Sequence, residues 1–182
     1  MVNIYKKKLT NLQQEILRLL FVKAGTPLNQ RSIARALGVS QPAVMKAVPG
    51  MDKQRLLSMK QDKESKRWSI ELNREDDRAM QLKKVDNLKQ IYESGLFDML
   101  EHEFAGATII LFGSYSRGED TNSSDIDIAI VGRREKDVKL EYFERMLDRR
   151  ITLSFYGSFG RIHKNLRENL FNGIILAGGV EL

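Results

Sequence analysis

Residues 107–131, ATIILFGSYSRGEDTNSSDIDIAIV, decide how this chain is read. Ala107 to Phe112 is a short apolar run rich in β-branched side chains, which predicts a buried strand. It ends abruptly in Gly113-Ser114-Tyr115-Ser116-Arg117-Gly118, where the chain turns. After the polar loop Glu119 to Ser124 comes Asp125-Ile126-Asp127-Ile128-Ala129-Ile130-Val131. Three isoleucines alternate with two aspartates, so in a strand both carboxylates project from one face. Like charges beside a core strand repel and raise each other's pKa unless a cation is supplied. Two carboxylates at i and i+2 facing one cleft are a good seat for Mg²⁺, a hard ion that takes oxygen ligands.

The combination LFGSYSRGEDTNSSDIDIAIV resembles the minimal nucleotidyltransferase family of the DNA polymerase β superfamily. The likeness is specific because it joins a strand, a Gly-Ser turn into a helix, an Arg-Gly pair and a dicarboxylate strand; Gly-Ser or Asp-x-Asp alone would say little. It implies a mixed sheet with flanking helices in an α+β chain, and a domain over residues 105–182. It also implies roles. Gly113 would let the backbone approach a triphosphate, and Ser114 with the amides after it would donate to the anionic oxygens. Asp125 and Asp127 would be the catalytic pair and hold Mg²⁺ during in-line attack of a hydroxyl on the α-phosphorus of an NTP. Arg117 would pair with phosphate, or else bridge Glu119 or Asp120 at the surface.

The family places a third carboxylate on a later strand. Here that strand is expected at Arg150 to Tyr156, with Ile151, Leu153 and Phe155 inward and Arg150, Thr152 and Ser154 on the other face. The expected position falls on Thr152, whose neutral hydroxyl supplies neither charge nor a carboxylate base. Asp148 stands an even number of residues earlier and is a weaker candidate. Phe159 to Asn172 predicts a helix carrying Arg161, Lys164 and Arg167 at helical spacing. Gly173 to Gly178 predicts a last short strand. His102 and His163 stand alone and predict no zinc site.

The first part of the chain has a different character. Residues 1–72 carry 14 Lys and Arg against five Asp and Glu, a net +9, while the remainder has 16 against 19, or −3; together they give the whole chain's +6. Such asymmetry predicts two domains with different partners. Leu12, Ile16, Leu19 and Leu20 recur at helical spacing from Asn11 to Ala24, and a second helix fits Gln30 to Leu37, followed by Gly38 where a left-handed residue is wanted. Ser40 can cap a third helix, with Pro42 in its first turn and Pro49-Gly50 expected to stop it. Two extended runs, Leu56 to Lys60 and Lys66 to Leu72, flank the polar Gln61 to Ser65 and predict a hairpin.

The order helix, helix, turn, helix, hairpin, with ARALGVSQPAVMKAV, resembles the winged helix-turn-helix family, and residues 1–73 are expected to form that domain. The resemblance implies binding to double-stranded DNA, with Gln41 and Lys46 toward bases and Lys60, Lys63, Lys66 and Arg67 toward phosphate. Docking another protein is the plainer alternative. Residues 74–104 predict linker helices with Met80, Leu82, Val85, Leu88 and Ile91 as an apolar seam, suited either to a homodimer or to packing on the chain's own second domain.

Composition bounds the rest. A chain of 182 residues, 42% hydrophobic and 30% charged, is expected to be globular. It has no cysteine, which excludes disulfides, thiolate metal sites and a cysteine nucleophile and makes a cytoplasmic home the default. No apolar run reaches membrane-spanning length, and MVNIYKKKLTN turns amphipathic before a signal-peptide core forms, so no membrane role is expected. Two functions stand side by side. One is Mg²⁺-dependent transfer of a nucleoside monophosphate from NTP to a hydroxyl of protein, RNA or a small molecule. The other is a DNA-bound, nucleotide-sensing or antitoxin-like repressor whose catalysis is impaired at Thr152.

Overall fold

The structure is a computed structural model that describes residues 9–180 apart from residue 65. The basic stretch before Leu9, and Ser65 of the expected hairpin turn, lie outside the described residues. The chain divides into two compact units, Met1–Met80 and Gln81–Leu182.

The first unit holds α1 (Asn11–Val22), α2 (Gln30–Leu37), α3 (Gln41–Lys53), β1 (Leu57–Gln61) and β2 (Trp68–Leu72). Local chemistry sets each helix start. The Thr10 and Gln13 side chains form a reciprocal capping box, and Asn29 and Ser40 accept from the Ser32 and Ala43 amides. Gly38 closes α2 in the left-handed conformation, at φ +65°. Ile16, Leu20, Ile33, Val44, Val48, Met51 and Ile70 are buried together as the core.

Two expectations change here. α3 does not stop at Pro49-Gly50 but runs through Pro49 to Lys53. Proline forfeits one backbone hydrogen bond, yet continuing the helix buries Met51 completely, and burying such a side chain offsets about 1.5–3 kcal/mol. The second hairpin strand begins at Trp68 rather than Lys66, because Lys66 adopts φ +56° and turns the chain.

The second unit contains the remainder of α4 (Asp77–Glu93), then α5 (Leu96–Glu103), β3 (Thr108–Phe112), α6 (Gly113–Arg117), β4 (Ile126–Val131), α7 (Glu141–Leu147), β5 (Ile151–Tyr156), α8 (Lys164–Phe171) and β6 (Ile174–Ala177). The sheet order is β5-β4-β3-β6, with β4 and β5 parallel and the other pairs antiparallel, so the sheet is mixed. Alternation divides its faces. Ile109, Leu111, Ile126, Ile128, Ile130 and Ile151 pack with Ile91, Leu96, Leu100 and Phe104 from α4, α5 and the end of α5. The segment expected to be a linker therefore contributes to the same core as the sheet. The opposite face buries Ile110, Ala129 and Val131 with Phe159, Ile162 and Leu170.

The apolar seam expected on α4 is corrected. Val85 is 65% exposed and Leu82 37%, while Lys83 is fully buried and Asn87 nearly so. The buried stripe Ala79, Lys83, Asn87, Ile91 keeps four-residue spacing but is half polar. The single helix expected from Phe159 to Asn172 is also corrected. A 3₁₀ turn, Phe159–Arg161, precedes α8, with extended backbone at Ile162 between them. Arg161 thus lies off the helix that carries Lys164 and Arg167.

Candidate active site

The site is built where β3 gives way to α6. Phe112 is extended, Gly113 takes φ +73°, and α6 begins at once, with no side chain capping its first turn. That left-handed conformation strains any residue with a Cβ. Space matters as much as conformation. A Cβ on Gly113 would lie 3.3 Å from Cγ of Asp127 and would overlap its Oδ2. The turn residue and the second aspartate are therefore in direct apposition. Ser114, half-buried, follows in the first turn of α6, and the Ser116 hydroxyl donates to the Gly113 carbonyl at 2.9 Å.

Asp127 sits on β4 opposite Phe112 of β3 on one side and Thr152 of β5 on the other. Asp125 lies just ahead of β4, two residues earlier, and both are half-buried. Burial holds the Asp127 carboxyl above the ordinary aspartate range, and the Asp125 charge pushes it the same way.

Their donor set suits a hard divalent cation. Paired carboxylate oxygens and their excess negative charge fit Mg²⁺. Among the described residues no cluster of three or more His, Asp or Glu side chains has metal-binding geometry. The parallel register sets Thr152 beside Asp127. Asp148 ends α7 in the left-handed conformation, is exposed, and lies outside the β4–β5 register. Arg117 donates through Nε to Glu119 Oε2 at 2.7 Å, the surface pair that was the alternative to phosphate contact.

Sequence reading missed the group beneath the loop between α6 and β4. Asp120 is fully buried there, and its carboxylate accepts from Lys83, from Asn87 at 2.7 Å and from Arg149 at 3.4 Å. Asn87 also donates to the Tyr115 carbonyl at 2.9 Å. The available signal was the Lys83, Asn87, Ile91 spacing on α4, masked by the hydrophobic Leu82 and Val85 beside it.

In the first unit, a groove is lined by Asn29, Gln30, Arg31, Gln41, Lys66, Arg67 and Trp68. It brings together Gln41, Lys66 and Arg67 of the six expected DNA contacts. Lys46, Lys60 and Lys63 are exposed but do not line it, and Arg31 joins it unforeseen. Trp68 packs partly against the core.

Among the described residues, no helix is long and apolar enough to cross a membrane. Residues 93–176 match the family model described as a nucleotidyltransferase domain. A Methanocaldococcus jannaschii protein, named as a candidate protein adenylyltransferase, is 51% identical over 39 residues, covering 21% of this chain. The match spans 39% of that relative's own length. The adhesin competence repressor of Streptococcus pyogenes is similar in structure, with TM-score 0.43 and 28% identity over 57% of this chain and 72% of that one. MepR of S. aureus, solved with DNA, gives TM-score 0.38 and 23% identity over 52% of this chain and 81% of that one. The Gly-Ser turn and the paired aspartates both lie within the segment 93–176 that matches the nucleotidyltransferase domain model.

Proposed function

We propose that the second unit binds a Mg²⁺–nucleoside triphosphate at Asp125, Asp127, Gly113 and Ser114, and transfers the nucleoside monophosphate to a hydroxyl group. The observation that carries this reading is the apposition of Gly113 and Asp127, which supports pairing a turn suited to phosphate with a carboxylate suited to a metal. Asp125 and Asp127 would hold the metal, which when bound neutralises phosphate charge and acidifies the attacking hydroxyl. Ser114 and the uncapped amides of the α6 turn donate to phosphate oxygens. The acceptor oxygen forms a bond to the α-phosphorus as the bond to the bridging oxygen of pyrophosphate breaks. The acceptor's proton leaves to water, since Thr152 offers no carboxylate to take it. A protein hydroxyl is the favoured acceptor, by the likeness to the relative named for protein adenylylation.

The first unit binds double-stranded DNA through the groove holding Gln41, Lys66 and Arg67, in the cytoplasm. The +9 charge of residues 1–72 supports that reading. Thr152 favours a second reading, a repressor whose nucleotide site senses rather than transfers. Incubation with Mg²⁺ and α-labelled NTPs and a panel of cellular proteins separates the two. Label transfer abolished by Asp125→Ala with Asp127→Ala supports the enzyme. Nucleotide binding without transfer supports the sensor.

A further inference from the structure

The polar node around Asp120 is expensive for so small a unit. Lys83 and Asp120 are both fully buried, and the Arg149 side chain is 2% exposed. Moving an ion out of water costs several kcal/mol even after relaxation, and an apolar pair of the same volume would often stabilise as well or better. The node's position distinguishes it from a simple stabiliser. Asp120 lies between the phosphate turn, which ends at Arg117, and the metal-binding Asp125. Asn87 grips the segment twice, at the Asp120 carboxylate and at the Tyr115 carbonyl within α6. Arg149 reaches the same carboxylate from the residue pair that leads into β5, the strand of Thr152. Three separate parts of the chain, α4, the α7–β5 connection and the loop itself, thus converge on one carboxylate.

We propose that Lys83, Asn87, Asp120 and Arg149 are positioning residues. They hold the loop 118–125 in the one arrangement that sets Asp125 and Ser114 at correct separation for a metal–triphosphate. The inference rests on the nucleotide site proposed above. Directed charged hydrogen bonds fix an irregular loop in a way that apolar contacts cannot, because the loop has no regular backbone ladder of its own. Outer partners that orient metal ligands typically affect affinity by about 10–100-fold.

The test uses the full chain and two variants. Lys83→Met with Asp120→Leu and Arg149→Met replaces all three buried charges by apolar side chains of similar size, and Asn87→Leu cuts both of its bonds. Thermal unfolding, hydrogen exchange of the loop amides and titration with Mn²⁺·ATP are read in parallel. The expected result is a melting temperature within a few degrees of the parent chain, faster exchange confined to 113–125, and Mn²⁺·ATP binding weakened by about tenfold or more. If the parent chain itself fails to bind Mn²⁺·ATP, the proposed function falls, and exchange alone decides the positioning role. Unchanged loop exchange in both variants overturns the inference, as does unchanged affinity in a chain that binds. If the triple variant does not fold, Asn87→Leu, which leaves both ion pairs of Asp120 in place, decides by the same two readings.

Discussion

Gly113 and Asp127 are fitted to each other: the glycine's missing side chain is the space the carboxylate occupies. Conformation and contact reinforce one another, since φ +73° already disfavours any other residue. Gly113→Ala is therefore expected to cost about 1–3 kcal/mol of stability and to push Asp127 out of place. Chemical denaturation should show the loss, and metal–nucleotide titration should show binding reduced well beyond what the stability change explains.

Asp127 carries a second prediction, through pH. Burial and the Asp125 charge raise its folded pKa above the unfolded value. The group's favourable contribution to folding is then fully present below the unfolded pKa and is lost as pH rises through the folded one. At neutral pH the metal-free protein bears this penalty. Asp127→Asn should accordingly melt higher than the parent chain at pH 7 without metal, and the difference should close on acidification. The same substitution should abolish Mg²⁺-dependent nucleotide binding, so that stability rises while function falls.

Thr152 stands in register with Asp127 on the neighbouring parallel strand. Thr152→Asp would place a third carboxylate beside Asp127. Mn²⁺ affinity, measured by electron paramagnetic resonance, is expected to rise roughly tenfold with the added charged ligand. Label transfer should rise with it if the native site is limited by the missing base. The metal-free variant should be less stable at neutral pH, from added like-charge repulsion.

The groove of the first unit yields a prediction of different form. Lys66→Ala and Arg67→Ala should each weaken binding to duplex DNA across sequences and lower the slope of log K against log salt by about 0.9 for each phosphate no longer neutralised. Lys46→Ala, outside the groove lining, should change the slope less. Gln41→Ala should alter sequence preference while leaving the slope intact. Fluorescence anisotropy at several salt concentrations reads all four.

Much of this architecture was legible in the sequence because its signals are local. The alternation of Ile126, Asp127 and Ile128, the Gly113 turn and the caps at Asn29 and Ser40 each act within a few residues, and the elements they announce are present. The misreadings share a cause: tertiary burial outweighed local preference. Pro49 is a poor helix residue, but Met51 beyond it belongs to the core. Val85 and Leu82 look like a core seam, but α4 instead buries Lys83 and Asn87, because Asp120, distant in sequence, supplies their partner. No pattern within α4 alone announces a carboxylate 37 residues away.

The most direct measurement is calorimetric titration of the full chain with Mg²⁺·ATP, with and without chelator, beside Asp125→Ala with Asp127→Ala. The expected result is saturable binding to the parent chain that disappears in chelator and in the double variant. Equal binding by both proteins, or binding indifferent to the metal, would contradict it.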